Sequence, residues 1–383
     1  MPQLATLKAS GYFRGIEYIP LETTGSSLIG RNPQIRFAGG NILVTTSQKQ
    51  ALLFDATGKF LRSIGHVGND PEGYSSTSCF VDDTKGLIYF EGFGGSLVCY
   101  NFDGKHIGNI ATPPQRDGFG MSIYGCLNGD TLAGYYNSIT GGSPNKIMMF
   151  NASGVIDSIL SAHPVQPPFE IGNISVFNGW DKGQATFGPV AQGGIIMIAG
   201  QDQEKASAWM AGATLFWHNH AETCFKEPFN DTIFVLDNSA KVPRFVLNLG
   251  EYHWDAAGRF QKSKDKNIYP TQFLENEHIL FFRFVTGLYS ENSRKSYDAV
   301  YNKATGELKV ALTNDGFTDD ITRFLPLQPL AVSPSGHYVG LLSVEDIHEW
   351  FDKHGASPDI PKEVQALKKL KEDDNPVVVL MKN

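Results

Sequence analysis

Charge is sparse in this sequence: Asp, Glu, Lys and Arg make up 19% of its 383 residues, against roughly 25% in an average globular domain. What charge there is leans acidic, with a net charge of −8 and a pI of about 5.7. That balance argues against a surface for nucleic acid or anionic lipid. The one concentration of lysines, Lys362, Lys368, Lys369 and Lys371, is interleaved with acids and reads as a solvated helix face. No apolar run approaches the ~18 residues that would span a bilayer. The opening MPQLATLKASGYFRG also lacks the charged start and apolar stretch of a signal peptide. Two readings follow: a cytoplasmic protein, or one whose export signal is absent from this chain.

Cysteine is equally scarce. Cys79, Cys99, Cys126 and Cys224 stand far apart with no C-x-x-C pair, so zinc-finger spacing is missing. A chain of this length needs no disulfide framework, and the four are read mainly as buried, inert thiols. The sequence has no usable G-x-S-x-G, H-E-x-x-H, P-loop or G-x-G-x-x-G after a strand. These absences lower the weight of an enzyme without excluding one, because a catalytic group assembled from distant segments leaves no local motif.

Aromatics and glycine are abundant, with 26 Phe, 14 Tyr, 5 Trp and 40 Gly. The combination favours short strands joined by tight turns, since aromatics suit a pleated surface and glycine supplies positive φ. One pattern recurs: an apolar strand, Asp or Asn, small residues, Gly, then a second strand. It appears as LLFDATGKFLRSI (52–64), LVCYNFDGKHIGNI (97–110), IMMFNASGVIDSIL (147–160) and AVYNKATGELKVAL (299–312). Weaker copies are IFVLDNSAKVPRFVLNL (233–249) and LAVSPSGHYVGLLS (330–343). The turn glycines Gly58, Gly104 and Gly154 are separated by 104 − 58 = 46 and 154 − 104 = 50 residues, the spacing of a propeller blade. A further pair of strands precedes each of the first three copies, at 35–47, 79–92 and 121–137. Two hairpins in succession make one four-stranded antiparallel blade.

The expected fold is therefore all-β: a six-bladed β-propeller of four-stranded antiparallel blades forming a single domain over 1–383, with five or seven blades left open. Residues 1–10 are expected to be a disordered leader. A helical excursion is expected over 343–373, from the capping pair Ser343 and Asp346 to EVQALKKLKED. The closing strand NPVVVLMKN would then pair with GYFRGIEYIPLE (11–22) to shut the ring.

IPLETT (19–24), the D-x-x-G-K-F hairpin and IGHVGNDPEGY (64–74) together resemble the secreted six-bladed propeller family of gut-dwelling Gram-negative bacteria. FNDTIFVLD (229–237), TNDGFTDDITRFLPL (313–327) and PVVVLMKN extend the likeness in the same order. Asp70 departs from it, standing where these proteins have glycine before the proline. The resemblance implies a TolB-like or NHL-like propeller, exported and often lipid-anchored in the periplasm or at the outer membrane. It implies no activity and carries over no catalytic residue.

Propellers commonly bind ligands at a channel mouth, and the links between blades cross one face beside it. The first link brings His66, Asp70, Glu72 and Tyr74, and the second brings Arg116 with Asp117. The third brings His163, Glu170 and Trp180, and the fourth Tyr252, His253 and Trp254. The fifth brings Asp315, Asp319, Asp320 and Arg323. Bland readings stand beside each: ordered turns for the first link, and filling of a gap between blades for the aromatics of the fourth. In WHNH (217–220), His218 and His220 share one strand face with Cys224 near, the beginnings of a zinc site; half-exposed strand histidines explain them better. Asp315, Asp319 and Asp320 lack the ligand spacing of a calcium loop. No cofactor is expected, with calcium and zinc as the remote alternatives.

The leading functional expectation is an extracytoplasmic, monomeric, non-catalytic module offering a channel mouth to a small molecule, glycan, peptide or protein. A lactonase-like hydrolase or lyase working at the same channel is the alternative, and a structural scaffold of an envelope complex is the third.

Overall fold

A computed structural model describes residues 3–114, 120–177, 194–210, 215–220, 222–237, 240–290, 293–355 and 360–383. Among these residues the chain is all-β apart from short helices, and most strands fall into six four-stranded antiparallel sheets. Sheet A comprises Gln34–Ala38, Asn41–Thr45, Ala51–Phe54 and Phe60–Ser63; sheet B comprises Tyr74–Asp82, Leu87–Gly92, Ser96–Asn101 and His106–Ala111. Sheet C comprises Gly120–Asn128, Thr131–Ser138, Lys146–Asn151 and Gly154–Leu160; sheet D comprises Phe216–Asn219, Glu222–Lys226, Thr232–Asp237 and Ala240–Val246. Sheet E comprises Tyr269–Glu275, Ile279–Thr286, Lys295–Asn302 and Leu308–Leu312. Sheet F takes Ala331–Val332, Tyr338–Leu342 and Val377–Lys382 from the end of the chain and Gly15–Pro20 from its beginning.

The recurrent Asp or Asn builds the outer hairpins by one device. Its side-chain oxygen accepts a backbone N–H two residues on: Asp55 from Thr57 at 2.8 Å, Asn101 from Asp103 at 3.1 Å, Asn151 from Ser153 at 2.8 Å and Asn302 from Ala304 at 3.0 Å. This Asx turn starts the reversal and the following glycine completes it with positive φ. Gly58 has a second constraint: an added Cβ would lie 2.3 Å from the Pro20 carbonyl oxygen, at φ 87°. Gly58→Ala is therefore expected to cost about 2 kcal/mol or more, read as a lowered midpoint in urea denaturation.

Each sheet hides both faces against its neighbours. Apolar clusters lie between A and B (Leu43, Leu53, Phe90, Val98) and between B and C (Tyr89, Cys99, Leu132, Phe150). Others lie between C and D (Tyr135, Met149, Phe225, Leu236) and between D and E (Trp217, Ile233, Phe273, Phe282). The set is completed between E and F (Phe281, Val300, Tyr338, Val379) and between F and A (Val339, Val378, Val44, Phe54). In the strand Val377–Lys382, Val377 and Val379 face E while Val378 faces A, the period of two that a doubly covered strand requires. The first strands adjoin in the same order, and that of F returns to that of A. Sheets packed face to face around a common centre are a β-propeller.

Three features depart from expectation or add to it. Residues 3–10 are tied down rather than a loose leader: Leu7–Lys8 pairs in parallel with Phe317–Thr318, and Leu7 and Ala9 are buried. A three-stranded sheet (Ile171–Phe177, Ile195–Gly200, Ala206–Met210) is inserted between C and D. Its Ile195, Ala206 and Met210 pack against Trp254, Tyr269 and Val285 beside sheet E. Helices α1 (Val344–His354) and α2 (Lys362–Leu367) occupy the expected excursion. Ser343 caps α1 by accepting the Asp346 N–H, and Ile347, Phe351, Val364 and Leu367 cover the E–F cluster.

Candidate functional site

The centre of the ring is open. A cavity of about 1120 Å³ runs along it, lined by residues from the first strands of all six sheets. Each first strand is the edge of its sheet, so half its backbone N–H and C=O groups have no partner strand and face the channel. Side chains add a polar lining broken by the aromatic faces of Phe37, Phe80, Tyr124 and Phe216.

Strand direction sorts the lining into two ends. Gln34, Glu91, Leu215, Gln272 and Leu330 lie toward the end where the links between sheets cross. Asp82, Asp83, Lys85, Asn128, His220, Glu277, His278 and His337 lie at the turns between first and second strands.

Most of the charges have partners. Lys85 sits 2.9 Å from Asp130 and 3.7 Å from Asp82, and Asp83 accepts the Gly39 N–H at 2.8 Å. Glu275 is fully buried and accepts from Trp217 Nε1 at 2.8 Å, Arg244 Nη1 at 2.9 Å and Lys303 Nζ at 2.6 Å. Arg36 donates to Gln34 Oε1 at 3.2 Å, and Gln272 Nε2 donates to the Leu330 carbonyl at 3.2 Å.

Of the lining groups that keep chemistry to offer, two stand on strands, away from the turns that carry Glu277, His278 and His337. Thr223 Oγ1 donates to the Leu127 carbonyl at 2.7 Å and lies 3.3 Å from His218 Nδ1. Its proton being spent, it accepts from Nδ1–H, which leaves a lone pair on Nε2 of the neutral ring. Burial depresses the basicity of His218, against the pull of Asp82 and Asp83. The second group is Glu91, near the end of the second strand of sheet B. It reaches the channel beside a bulge between Tyr74 and Cys79. Its carboxyl has no hydrogen-bond or ion-pair partner among the described residues, and burial pushes its pKa up to about 7.

The link residues lie elsewhere. None of His66, Asp70, Glu72, Tyr74, His163, His253, Trp254, Asp315 or Arg323 lines the cavity, and Arg116 and Trp180 fall outside the described residues. The first link does gather His66 and Asp70, whose Nε2 and Oδ2 are 2.9 Å apart; this hydrogen bond holds the Asp70 carboxyl below its usual range. Glu72 stays at the surface, 3.8 Å from His106, while Tyr74 turns inward and stacks on Phe90. His163 is buried beside Asn145, its Nε2 3.9 Å from Glu227 Oε2, and burial depresses its basicity. His253 pairs with Asp231 at 2.5 Å. Trp254 is 1% exposed, donates to the Gly258 carbonyl and is ringed by Phe229, Tyr269 and Tyr289. It fills a gap rather than offering a stacking platform. Asp315 ends a short 3-10 turn, and Arg323 adopts φ 61°.

The metal alternatives separate in space. His218 pairs across the hairpin with Thr223, whereas Cys224 is opposite Trp217 on the other face. There Arg244 Nη1 lies 2.8 Å from its sulfur, and burial lifts the thiol to about 12. Asp319 is consumed by the backbone N–H groups of Ile321, Thr322 and Phe324, and Asp320 by Ser10. Among the described residues no group of three His, Cys, Asp or Glu side chains is placed to hold a metal ion. All four cysteines are buried and unpaired, and no helix among these residues is long and apolar enough to cross a membrane.

A family model described as a domain of unknown function, DUF4934, matches residues 1–382. Among solved structures the chain is similar to a Bacteroides fragilis protein described as exported. The two are 16% identical with a TM-score of 0.62, and 99% of this chain and 97% of that chain are covered. A weaker likeness is to a β-propeller domain from Myceliophteria thermophila, 10% identical with a TM-score of 0.35, covering 79% of this chain and 91% of that chain. No curated protein matches the sequence.

Proposed function

We propose, from the premise that the chain belongs to the DUF4934 family, that it is a six-bladed propeller whose central channel is a ligand-binding site. The count of six rests on sheets A to F and on the apolar clusters that join each to the next; the inserted sheet lies outside that ring. A TolB-like or NHL-like kinship is consistent with that count. The observation that carries the binding reading is the cavity, about 1120 Å³ and lined by first strands of every sheet in the ring. Recognition sites are concave and combine apolar walls with a few convergent polar groups, as this one does. The description of the Bacteroides fragilis neighbour as exported favours work outside the cytoplasm, where the native form would be periplasmic or held at the outer membrane by a lipid anchor.

Blocking the channel tests the reading. Ser78 is exposed and lines the cavity, so Ser78→Trp adds a large ring to the channel without disturbing a buried contact. Small polar metabolites, oligosaccharides and short peptides would be screened against the full chain by thermal shift, and hits measured by calorimetry. Binding should fall at least about tenfold in S78W while its melting temperature stays that of the parent. Hits that bind S78W as they bind the parent would place recognition elsewhere on the molecule.

A further inference from the structure

We propose that the channel ligand carries a protonated amine and that Glu91 is the carboxylate that receives it. The inference rests on the reading of the channel as a binding site and names its chemistry. A half-buried carboxyl with no partner is costly to keep, and the other channel carboxylates described above, Asp82, Asp83 and Glu275, are each matched by a donor. Glu277 is exposed at a turn and keeps its water, so Glu91 is the partly buried carboxylate left to be satisfied by something that enters the cavity.

The surroundings favour a cation over a neutral donor. Apart from Glu275, which is shielded and paired with Arg244 and Lys303, the lining holds four carboxylates (Asp82, Asp83, Glu91, Glu277) against two permanent cations, Arg36 and Lys85, and Lys85 is already engaged by Asp82 and Asp130. Such a channel concentrates positive ligands. Aromatic faces in the same cavity, including Phe80 stacked on Tyr89 at 4.9 Å, attract cations through their ring quadrupoles. An ammonium group bonded to Glu91, with its carbon skeleton on these rings, uses both features.

The pairing also sets a pH dependence. The titratable and charged groups on the strands around Glu91 are Arg36, Tyr74, Cys79, Asp82, Tyr89, Cys99, Tyr100, Tyr124 and Cys126. Burial pushes Tyr74, Cys79, Cys99 and Tyr100 up, away from neutral pH. Glu91, with its pKa near 7, gains its charge as pH rises through that value. Affinity for a permanent cation should therefore rise from about pH 6 to pH 8 and then level off.

Calorimetry on the full chain provides the test, with 1,6-diaminohexane as the cation, 1,6-hexanediol as its neutral isostere and a trimer of glucosamine as an amino-sugar source of the same group. The diamine should bind the parent at least about tenfold more tightly than the diol. Glu91→Gln should remove that preference and flatten the pH profile, with its melting temperature no lower than the parent's. The trimer binding more tightly than the diamine would assign the amine to a sugar, and the reverse order to an alkylamine. Equal binding of diamine and diol, no detectable diamine binding, or full diamine affinity in E91Q would each overturn the inference. Hits from the wider screen that are lost in S78W but unchanged in E91Q would leave channel binding standing and remove the amine alone.

Discussion

Removing residues 1–20 should abolish cooperative folding, although these residues supply one of the twenty-four strands of sheets A to F. Gly15–Pro20 pairs with Val377–Lys382 from Gly15↔Lys382 to Pro20↔Val377, so the first residues complete the last sheet. Phe13 and Tyr18 belong to the E–F cluster and Ile19 to the F–A cluster. Burying three such side chains is worth about 5–9 kcal/mol, comparable with the whole stability of a domain. The deletion also bares the edge of an apolar strand, VVVLMK, as an invitation to aggregate. Circular dichroism and size exclusion should show a molten or aggregated product with no sigmoidal melt. Ile19→Asp, a single charge placed in the F–A cluster, should lower the urea midpoint strongly in the same direction. A truncated chain that melts as sharply as the parent would mean that the ring does not depend on this closure.

That closure was legible in the sequence because it is written in contiguous apolar runs at both ends of the chain. So were the outer hairpins, whose Asp or Asn and glycine are fixed by the turn itself, and the two helices, whose caps and apolar stripes are local. The inserted sheet was not recognised. Its signal was an interval: the third and the next hairpin copies begin 233 − 147 = 86 residues apart, against 147 − 97 = 50 for the preceding pair. EIGNISVF, within that stretch, reads as link or as strand with equal ease.

The candidate site was the least legible part, for a physical reason. A propeller link is rich in polar residues because it is exposed, so His66, Asp70 and His253 stand out in sequence and prove to be bonded to each other or to nearby acids. Channel residues come from strand edges, where they look like any other strand position. Glu91 follows Tyr89 and Phe90 in an ordinary second strand. Only the packing of sheets around it turns that carboxyl toward the cavity and removes its water. Likewise the histidines of WHNH were visible, but the tautomer of His218 depends on Thr223 and Leu127, the latter on another sheet.

Glu275→Ala should cost about 3–5 kcal/mol. Glu275 stands at the end of the first strand of sheet E and joins it to sheet D: Trp217 and Arg244 come from D, and Lys303 from the turn after the third strand of E. Its side chain is fully shielded from water. The three donors repay its desolvation, and truncating it leaves the indole N–H without a partner, Lys303 with only a backbone carbonyl and Arg244 with only the more exposed Glu222 as carboxylate partner, around a void. The stacked pair Trp217 and Phe273, 5.2 Å apart, would lose the hydrogen bond that fixes the indole. Because the penalty is mainly that of unpaired charge, removing the charges together should cost less than removing one. The triple variant E275L/R244M/K303M is expected to recover at least half of the loss seen in E275A by urea denaturation. Recovery would identify the network as a device for seating sheet D against sheet E rather than a net source of stability. A triple variant weaker than E275A would mean instead that the paired charges themselves hold these two sheets together.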